Sequence, residues 1–260
     1  MEYFVRGVKT EYKGAGTVDV VTDADRASEK LIVESLRAAF PDHGIIGEEG
    51  SRSQSASEYI WYVDPLDGTT NFAHGFPVFC VSIGLARNNE VVAGIVFDPT
   101  RNELFSAERG RGATLNGERI QVSKVATLGE SLLGTGFPSK KRHLNANIYF
   151  YHQLTMKSHG IRRAGSAALD LACVASGRYD GFWEFNLNAW DTAAGVLLVE
   201  EAGGKLTYVD GSRFDVAASR EVLATNGLIH QELMAQMQAV MQGRGIEPLP
   251  SPAEFAKARG

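Results

Sequence analysis

Asp64-Pro65-Leu66-Asp67-Gly68-Thr69-Thr70-Asn71-Phe72 gathers two carboxylates, a proline, a glycine and two adjacent hydroxyls into nine residues. The apolar run before it, Tyr59 to Val63, predicts a buried strand that delivers Asp64 at its carboxyl end. Pro65 limits the backbone there and turns the chain so that Asp67 converges on the same spot. Gly68 permits a close backbone approach, and Thr69-Thr70 reads as a helix N-cap whose N–H groups can bind a phosphate oxygen. A surface turn is the plain alternative for a lone Asp-Gly, since Asp, Pro and Gly are common turn formers. The whole string favours cation ligands beside an anion cradle.

Two further acids extend the pattern: Glu48 in Gly47-Glu48-Glu49-Gly50, and Asp191 in Trp190-Asp191-Thr192-Ala193-Ala194-Gly195. Oxygen donors of this kind suit Mg²⁺, which is usually held by a few carboxylates together with substrate phosphate. Each acid also has a plain reading. Asp191 and Asp25 can cap the helices they open, a role worth about 1 kcal/mol, and Glu48 can be a solvated surface acid. Their co-occurrence favours the site. The histidines lack zinc-ligand spacing, which leaves His74 a local hydrogen-bonding residue, and no Gly-x-Ser-x-Gly elbow offers a covalent nucleophile.

The chain has 260 residues, 44% of them hydrophobic and 22% charged, enough for one large core or two joined halves. A net charge of -5, with Lys140-Lys141-Arg142 as the densest basic run, argues against direct nucleic-acid binding. Cys80 and Cys173 sit in apolar surroundings without C-x-x-C spacing and are expected to be buried free thiols of a reducing compartment. Neither a signal peptide nor a membrane-spanning apolar run is expected, so the reading is cytoplasmic, without membrane contact.

Ala27, Leu31, Ile32, Leu36, Ala39 and Phe40 recur at helical spacing until Pro41. Ile45-Ile46, Tyr59 to Val63, Val78 to Ala86, Val91 to Phe97 and Glu103 to Ala107 read as strands of a meandering sheet, and Asn116-Gly117 as a type I′ hairpin turn. Beyond residue 130, a strand near Ser131 to Gly134 precedes an ill-defined segment from Lys140 to Lys157. Helices are expected at Ala167 to Ala175 and Asp191 to Ala202, then a strand from Lys205 to Val209 and a last helix around Leu233 to Met241. The expected division is an N-terminal α+β half over 1–130 with most of the cation ligands, a C-terminal half over 131–242 with Asp191, and a loosely held tail over 243–260.

Asp64 to Phe72, Gly47 to Gly50 and Trp190 to Gly204 resemble the inositol monophosphatase family, whose Val-Thr-x-x-Asp is matched by Val21-Thr22-Asp23-Ala24-Asp25. The resemblance runs from about Lys13 to the last helix. It implies an α/β chain folded as a layered α-β-α-β-α sandwich, usually a homodimer. It also implies a metal set of Glu48, Asp64, Asp67, Asp191 and the Leu66 carbonyl, holding two or three Mg²⁺ with Mn²⁺ as a substitute. Thr69 would help Glu48 position the attacking water, and Asp25 would pair with Thr69 and a nearby lysine.

Gly165-Ser166-Ala167-Ala168 is similar to the family's stretch that lines the polyol, and Glu184 matches its polyol-binding glutamate; for Ala167, core packing explains the spacing equally well. With Asp67 and Asp191 these make up the implied substrate contacts. A phosphate monoester is dianionic near neutral pH, so cations must invert the site's field before water can attack. Gly68 and Thr69 would add preorganised donors to the phosphate.

The implied activity is magnesium-dependent hydrolysis of a sugar or polyol phosphate, inositol 1-phosphate foremost, by direct water attack. Relatives that act on fructose 1,6-bisphosphate, histidinol phosphate or 3′-phosphoadenosine compounds are the near alternatives. A protein-interaction role in transcription and ribosome assembly is the non-enzymatic one, and a paired-acid nuclease is disfavoured by the missing basic groove. Lys13 follows a shorter start than the family pattern, which predicts a truncated first helix.

Overall fold

The computed structural model describes residues 1–6, 10–12, 20–53, 57–137, 145–218, 220–249 and 251–257; Lys13 and the run Lys140-Lys141-Arg142 lie outside them. A short first helix, α1 (Glu2–Arg6), sets Phe4 against Phe72 and Phe79, with ring centroids 5.4 and 4.9 Å away. Strands β1 (Thr10–Tyr12) and β2 (Val20–Thr22) pair antiparallel and lead into α2 (Asp23–Ala39). Thr22 starts α2 with a reciprocal cap: its hydroxyl accepts from Ala24 N–H, and Asp25 accepts from Thr22 N–H.

Of the apolar stripe expected on α2, Ile32 and Leu36 pack against the core around Val33, Ile45 and Val63, whereas Ala27, Leu31, Ala39 and Phe40 face outward. Leu31 is 67% exposed, whereas Ala24, Asp25, Glu29 and Val33 are buried. Two acids lie on the inner face because each accepts backbone or hydroxyl hydrogen bonds from loops it packs against.

Strands β3 (Gly44–Gly47), β4 (Arg52–Ser53) and β5 (Tyr59–Asp67) come next, then the single turn α3 (Thr69–Ala73). An antiparallel meander follows: β6 (Cys80–Arg87), β7 (Glu90–Asp98), β8 (Glu103–Glu108), β9 (Gly112–Leu115) and β10 (Glu118–Arg119). Its last turn has Asn116 at φ 50° and Gly117 at φ 87°, the two positive angles a type I′ hairpin requires. Among the described residues these strands form one sheet in the order β10-β9-β8-β7-β6-β5-β3-β4, with only β3 and β5 parallel.

The remaining chain builds β11 (Leu132–Thr135), α4 (Asn147–Thr155), β12 (Gly160–Arg162), α5 (Ala167–Ala175), β13 (Gly181–Phe185) and α6 (Ala189–Glu201). It ends with β14 (Lys205–Thr207), β15 (Glu221–Thr225), α7 (His230–Met241) and α8 (Pro252–Lys257). The second sheet runs β12-β11-β13-β15-β14.

α5 and α6 lie between the two sheets and share one core with them, α2 covers the outer side of the larger sheet, and α4 and α7 cover the smaller one. The result is the α-β-α-β-α order. α6 can occupy the middle because Thr192 to Val199 are all buried, the mark of a helix enclosed on every side. Close approach depends on glycine: a Cβ at Gly84 would fall 2.6 Å from the Ala193 Cβ, and one at Gly94 would fall 2.8 Å from the Ala194 Cα.

Cys80 is buried as expected, but Cys173 is only half-buried; both are free thiols. The start of the tail is tied down rather than loose, since Gln153 on α4 donates to the Glu247 carbonyl at 2.6 Å and accepts from Glu247 N–H at 2.9 Å. No helix of the described residues is long and apolar enough to cross a membrane.

Candidate active site

In a regular strand, residues three apart point to opposite faces. β5 breaks that rule where its pairing with β6 slips: Asp64 faces Ser82 but Asp67 faces Cys80, so three steps on one strand answer two on the other. The slip re-phases Asp67, and its charge acts on Asp64. Leu66 N–H donates to Asp64 Oδ1 at 3.0 Å, which fixes the turn between them. Gly68 follows at φ 101°, where a Cβ would press to 2.8 Å from the Val78 carbonyl.

Asp191 reaches the same neighbourhood from the first turn of α6. It also takes part in the cap: Asn188 N–H donates to Asp191 Oδ2 at 2.6 Å, and the Asn188 amide to the same oxygen at 3.2 Å. Asn188 is thus the N-cap of α6 and Asp191 the third residue of its capping box, rather than the cap itself. Glu48, half-buried just after β3, completes the set, and Glu48 N–H is fixed to the Val63 carbonyl at 3.1 Å.

Burial, and then the charges of Glu48, Asp67 and Asp191, push the Asp64 carboxyl well above the usual carboxylate range. Burial also raises Asp67, against the hydrogen bonds it receives from Ser166 and Ala168. Asp191 is raised by burial and next by Asp67. Among the described residues, no Lys or Arg forms an ion pair with Asp64, Asp67 or Asp191. Nor do three or more His, Cys, Asp or Glu side chains of those residues close into a group that would grip an ion as they stand. The acids share a field, and Asp64, Asp67 and Asp191 each have an oxygen turned to a neighbouring donor. Aspartate oxygens close together with no ion-paired Lys or Arg among the described residues are the donor chemistry a hard divalent cation takes, so the residues fit Mg²⁺.

Around the acids lies a layer of orienting contacts. Asp25, fully buried, accepts from Thr22 N–H at 2.7 Å, from Thr22 Oγ1 at 2.5 Å and from Thr69 Oγ1 at 3.0 Å, so it caps α2 and holds Thr69 at once. Thr69 Oγ1 also lies 3.1 Å from the Leu66 carbonyl. Glu29 accepts from Glu49 N–H at 2.8 Å and Ser51 N–H at 3.0 Å and so sets the loop that carries Glu48. Asp67 Oδ2 accepts from Ser166 Oγ and Ala168 N–H, both at 2.7 Å. The Asn71 amide donates to the Val78 carbonyl at 2.7 Å and to the Ala164 carbonyl at 2.9 Å.

Of the residues expected to line the alcohol, Ala167 is 7% exposed and belongs to the central core, so its packing role is real. Glu184 stands at the end of β13 against Gly136, where any side chain would collide with its carboxylate. Burial first, then Asp67 and Asp191, push Glu184 up to about 8, while Arg163 pulls it down. His74 is exposed and closes the C-terminal end of α3.

Several contributors escaped the sequence reading. Glu29 had a signal, since it lies four residues after Asp25 and so on the same helix face. Asn188 had one in its Asn-x-x-Asp spacing to Asp191. The Ser166 hydroxyl and the Asn71 amide had none, because their partners are distant in sequence.

With this geometry described, the chain can be set beside known proteins. The model of the inositol monophosphatase family matches residues 1–242. The chain is 49% identical over 226 residues to an inositol-1-monophosphatase of Synechocystis, covering 86% of this chain and 78% of that protein. It is 47% identical over 226 residues to the Nus factor SuhB of Pseudomonas aeruginosa, covering 85% and 83%. The structure of an inositol monophosphatase from Anabaena superposes with a TM-score of 0.81 at 46% identity, over 87% of this chain and 88% of that one.

Proposed function

The chain belongs to the inositol monophosphatase family, and from that membership we propose that it hydrolyses polyol phosphates, inositol 1-phosphate above all, by direct attack of water on phosphorus. The observation that supports this reading is that the charges of Glu48, Asp67 and Asp191, all half-buried, act on the buried Asp64, with no Lys or Arg ion-paired to the three aspartates among the described residues. Glu48, Asp64, Asp67, Asp191 and the Leu66 carbonyl would hold two or three Mg²⁺, or Mn²⁺ in their place. When bound, these ions neutralise phosphate charge and make water a better nucleophile near neutral pH.

The chain's own groups do the rest. Asp25 takes the Thr69 hydroxyl as a donor, which leaves a Thr69 lone pair to orient the attacking water together with Glu48. Gly68 and Thr69 N–H groups face the phosphate, while Ala167 and Glu184, with Asp67 and Asp191, line the alcohol. A carboxylate at Glu184 suits vicinal hydroxyls. In this reading residues 1–130 supply most of the cation ligands, residues 131–242 supply the alcohol side, and the protein works as a cytoplasmic homodimer.

The 47% identity to a Nus factor favours one second reading, a protein-interaction role carried by the same fold. Phosphate release from inositol 1-phosphate, fructose 1,6-bisphosphate, histidinol phosphate and 3′-phosphoadenosine 5′-phosphate, with and without Mg²⁺, tests the first. Inositol 1-phosphate is expected to give the highest kcat/KM, and only with Mg²⁺. A trapped phosphoprotein would contradict direct water attack. Complementation by Asp64→Asn separates the readings, since a scaffold survives that change and a phosphatase does not.

A further inference from the structure

Glu184 rests on a residue that has no side chain. Thr135, the last residue of β11, is the register partner of Trp183 on β13, so Gly136 comes level with Glu184 on the neighbouring parallel strand. Level residues of two paired strands present their side chains to the same face. Gly136 presents none, and the three atoms nearest to where its Cβ would stand are the carboxylate carbon and both oxygens of Glu184. The Glu184 side chain thus leans across to β11 and fills the place of one missing methyl group.

The walls of that slot are held in place. Asn147, fully buried at the start of α4, donates to the Gly136 carbonyl at 2.6 Å and to Thr135 Oγ1 at 3.0 Å, and accepts from Trp183 Nε1 at 2.6 Å. Thr135 Oγ1 in turn donates to the Trp183 carbonyl at 2.8 Å. One amide therefore ties the glycine to the residue just before Glu184, and the movable partner in any collision is the Glu184 side chain. Gly136 itself does not have the positive φ that would call for glycine.

We propose that Gly136 is a specificity-determining residue for the alcohol: by leaving a slot at the end of β11, it sets where the Glu184 carboxylate meets the vicinal hydroxyls of a polyol phosphate. The first atoms that an added methyl group meets belong to Glu184 and not to the cation ligands, so a side chain at 136 displaces the carboxylate alone. This inference rests on the reading that Glu184 contacts the substrate alcohol.

The test uses the full chain with Mg²⁺ and takes the ratio of kcat/KM on inositol 1-phosphate to kcat/KM on 4-nitrophenyl phosphate, which has no hydroxyls beside its ester. Gly136→Ala is expected to lower that ratio about tenfold, the loss that follows when a hydrogen bond to a charged group is misplaced. Glu184→Ala should lower it at least as far. The double variant of Gly136→Ala with Glu184→Ala should match Glu184→Ala within about twofold, because the added methyl group then meets no carboxylate. A glycine needed only for folding would instead shift both substrates alike and add its loss in the double variant.

The slot role is overturned if Gly136→Ala keeps the parent ratio, or if its loss persists in full once Glu184 is replaced by alanine. A Glu184→Ala ratio equal to the parent's overturns the alcohol reading itself, whereas a lowered one beside an unchanged Gly136→Ala overturns only the slot. Should Gly136→Ala fail to fold, the double variant decides by its melting: recovered folding supports the collision with Glu184, and an unfolded double variant overturns it.

Discussion

Two buried polar regions of this chain are organised in opposite ways. In the smaller sheet, His230 is fully buried with Nε2 3.0 Å from Thr207 Oγ1 and Nδ1 3.0 Å from Thr225 Oγ1. The Thr207 hydroxyl donates to the Tyr208 carbonyl at 2.7 Å, so it receives from Nε2–H, and Nδ1 receives from Thr225. Every polar atom has a partner and the ring is neutral, held down to about 4 chiefly by burial. At the end of β5 and the start of α6 the reverse holds: Asp64 is buried beside the half-buried Asp67 and Asp191, and the acids raise one another. The first region is complete as the chain folds, whereas in the second no Lys or Arg of the described residues is ion-paired to Asp64, Asp67 or Asp191.

The sharpest break in that contrast is Asp64→Asn. Phosphate release with Mg²⁺ should fall about a thousandfold or more, since several kcal/mol of charge stabilisation go with the ligand. The same change removes a buried like charge, so the melting temperature in EDTA should rise. Scanning calorimetry beside a phosphate assay reads both, and a fall in the EDTA melting temperature would show that the acids are not in conflict.

A smaller effect separates the regions by pH. The folded His230 value of about 4 lies below the ordinary histidine range near 6.5, so as pH falls through that window only the unfolded chain takes the proton. Stability should drop by an amount on the order of 2 kcal/mol, and a His230→Asn chain should not show that slope. Glu184 runs the other way: its folded value of about 8 lies above the ordinary range, so in EDTA the folded state binds the proton first and its contribution grows as pH falls from 8 toward about 4. Urea melts across pH 4 to 8 on the parent, His230→Asn and Glu184→Gln resolve the two slopes.

The smallest effect tests the contacts around the acids. Ser166→Ala takes the 2.7 Å hydroxyl from Asp67 and should weaken Mg²⁺ binding about tenfold, as loss of an orienting partner does, with melting in EDTA nearly unchanged. Isothermal titration with Mg²⁺ reads it. Unaltered affinity would mean that Ala168 N–H holds Asp67 without help.

Much of this contrast could be read before any coordinates. The nine-residue string from Asp64 to Phe72 announced a strand end with converging acids, and Asn116-Gly117 announced its hairpin, because local chemistry decides both. The α5 helix was legible for the same reason. The Thr207–His230–Thr225 bridge was not, since hydroxyl partners at such separations leave no pattern in a chain. The inward face of α2 was legible only in its second half, at Ile32 and Leu36, because apolar periodicity does not register acids, and Asp25 and Glu29 are turned inward by the loops they brace. The β5 slip was foreseen only as a turn at Pro65, although it is a change of register within a continuing strand.

One contact has a consequence for movement. The Asn71 amide donates at once to the Val78 carbonyl, just before β6, and to the Ala164 carbonyl, just before α5, and so works as a cross-tie between the larger-sheet half of the chain and the segment that leads into the central helices. A displacement of either segment is therefore felt by the other through one side chain.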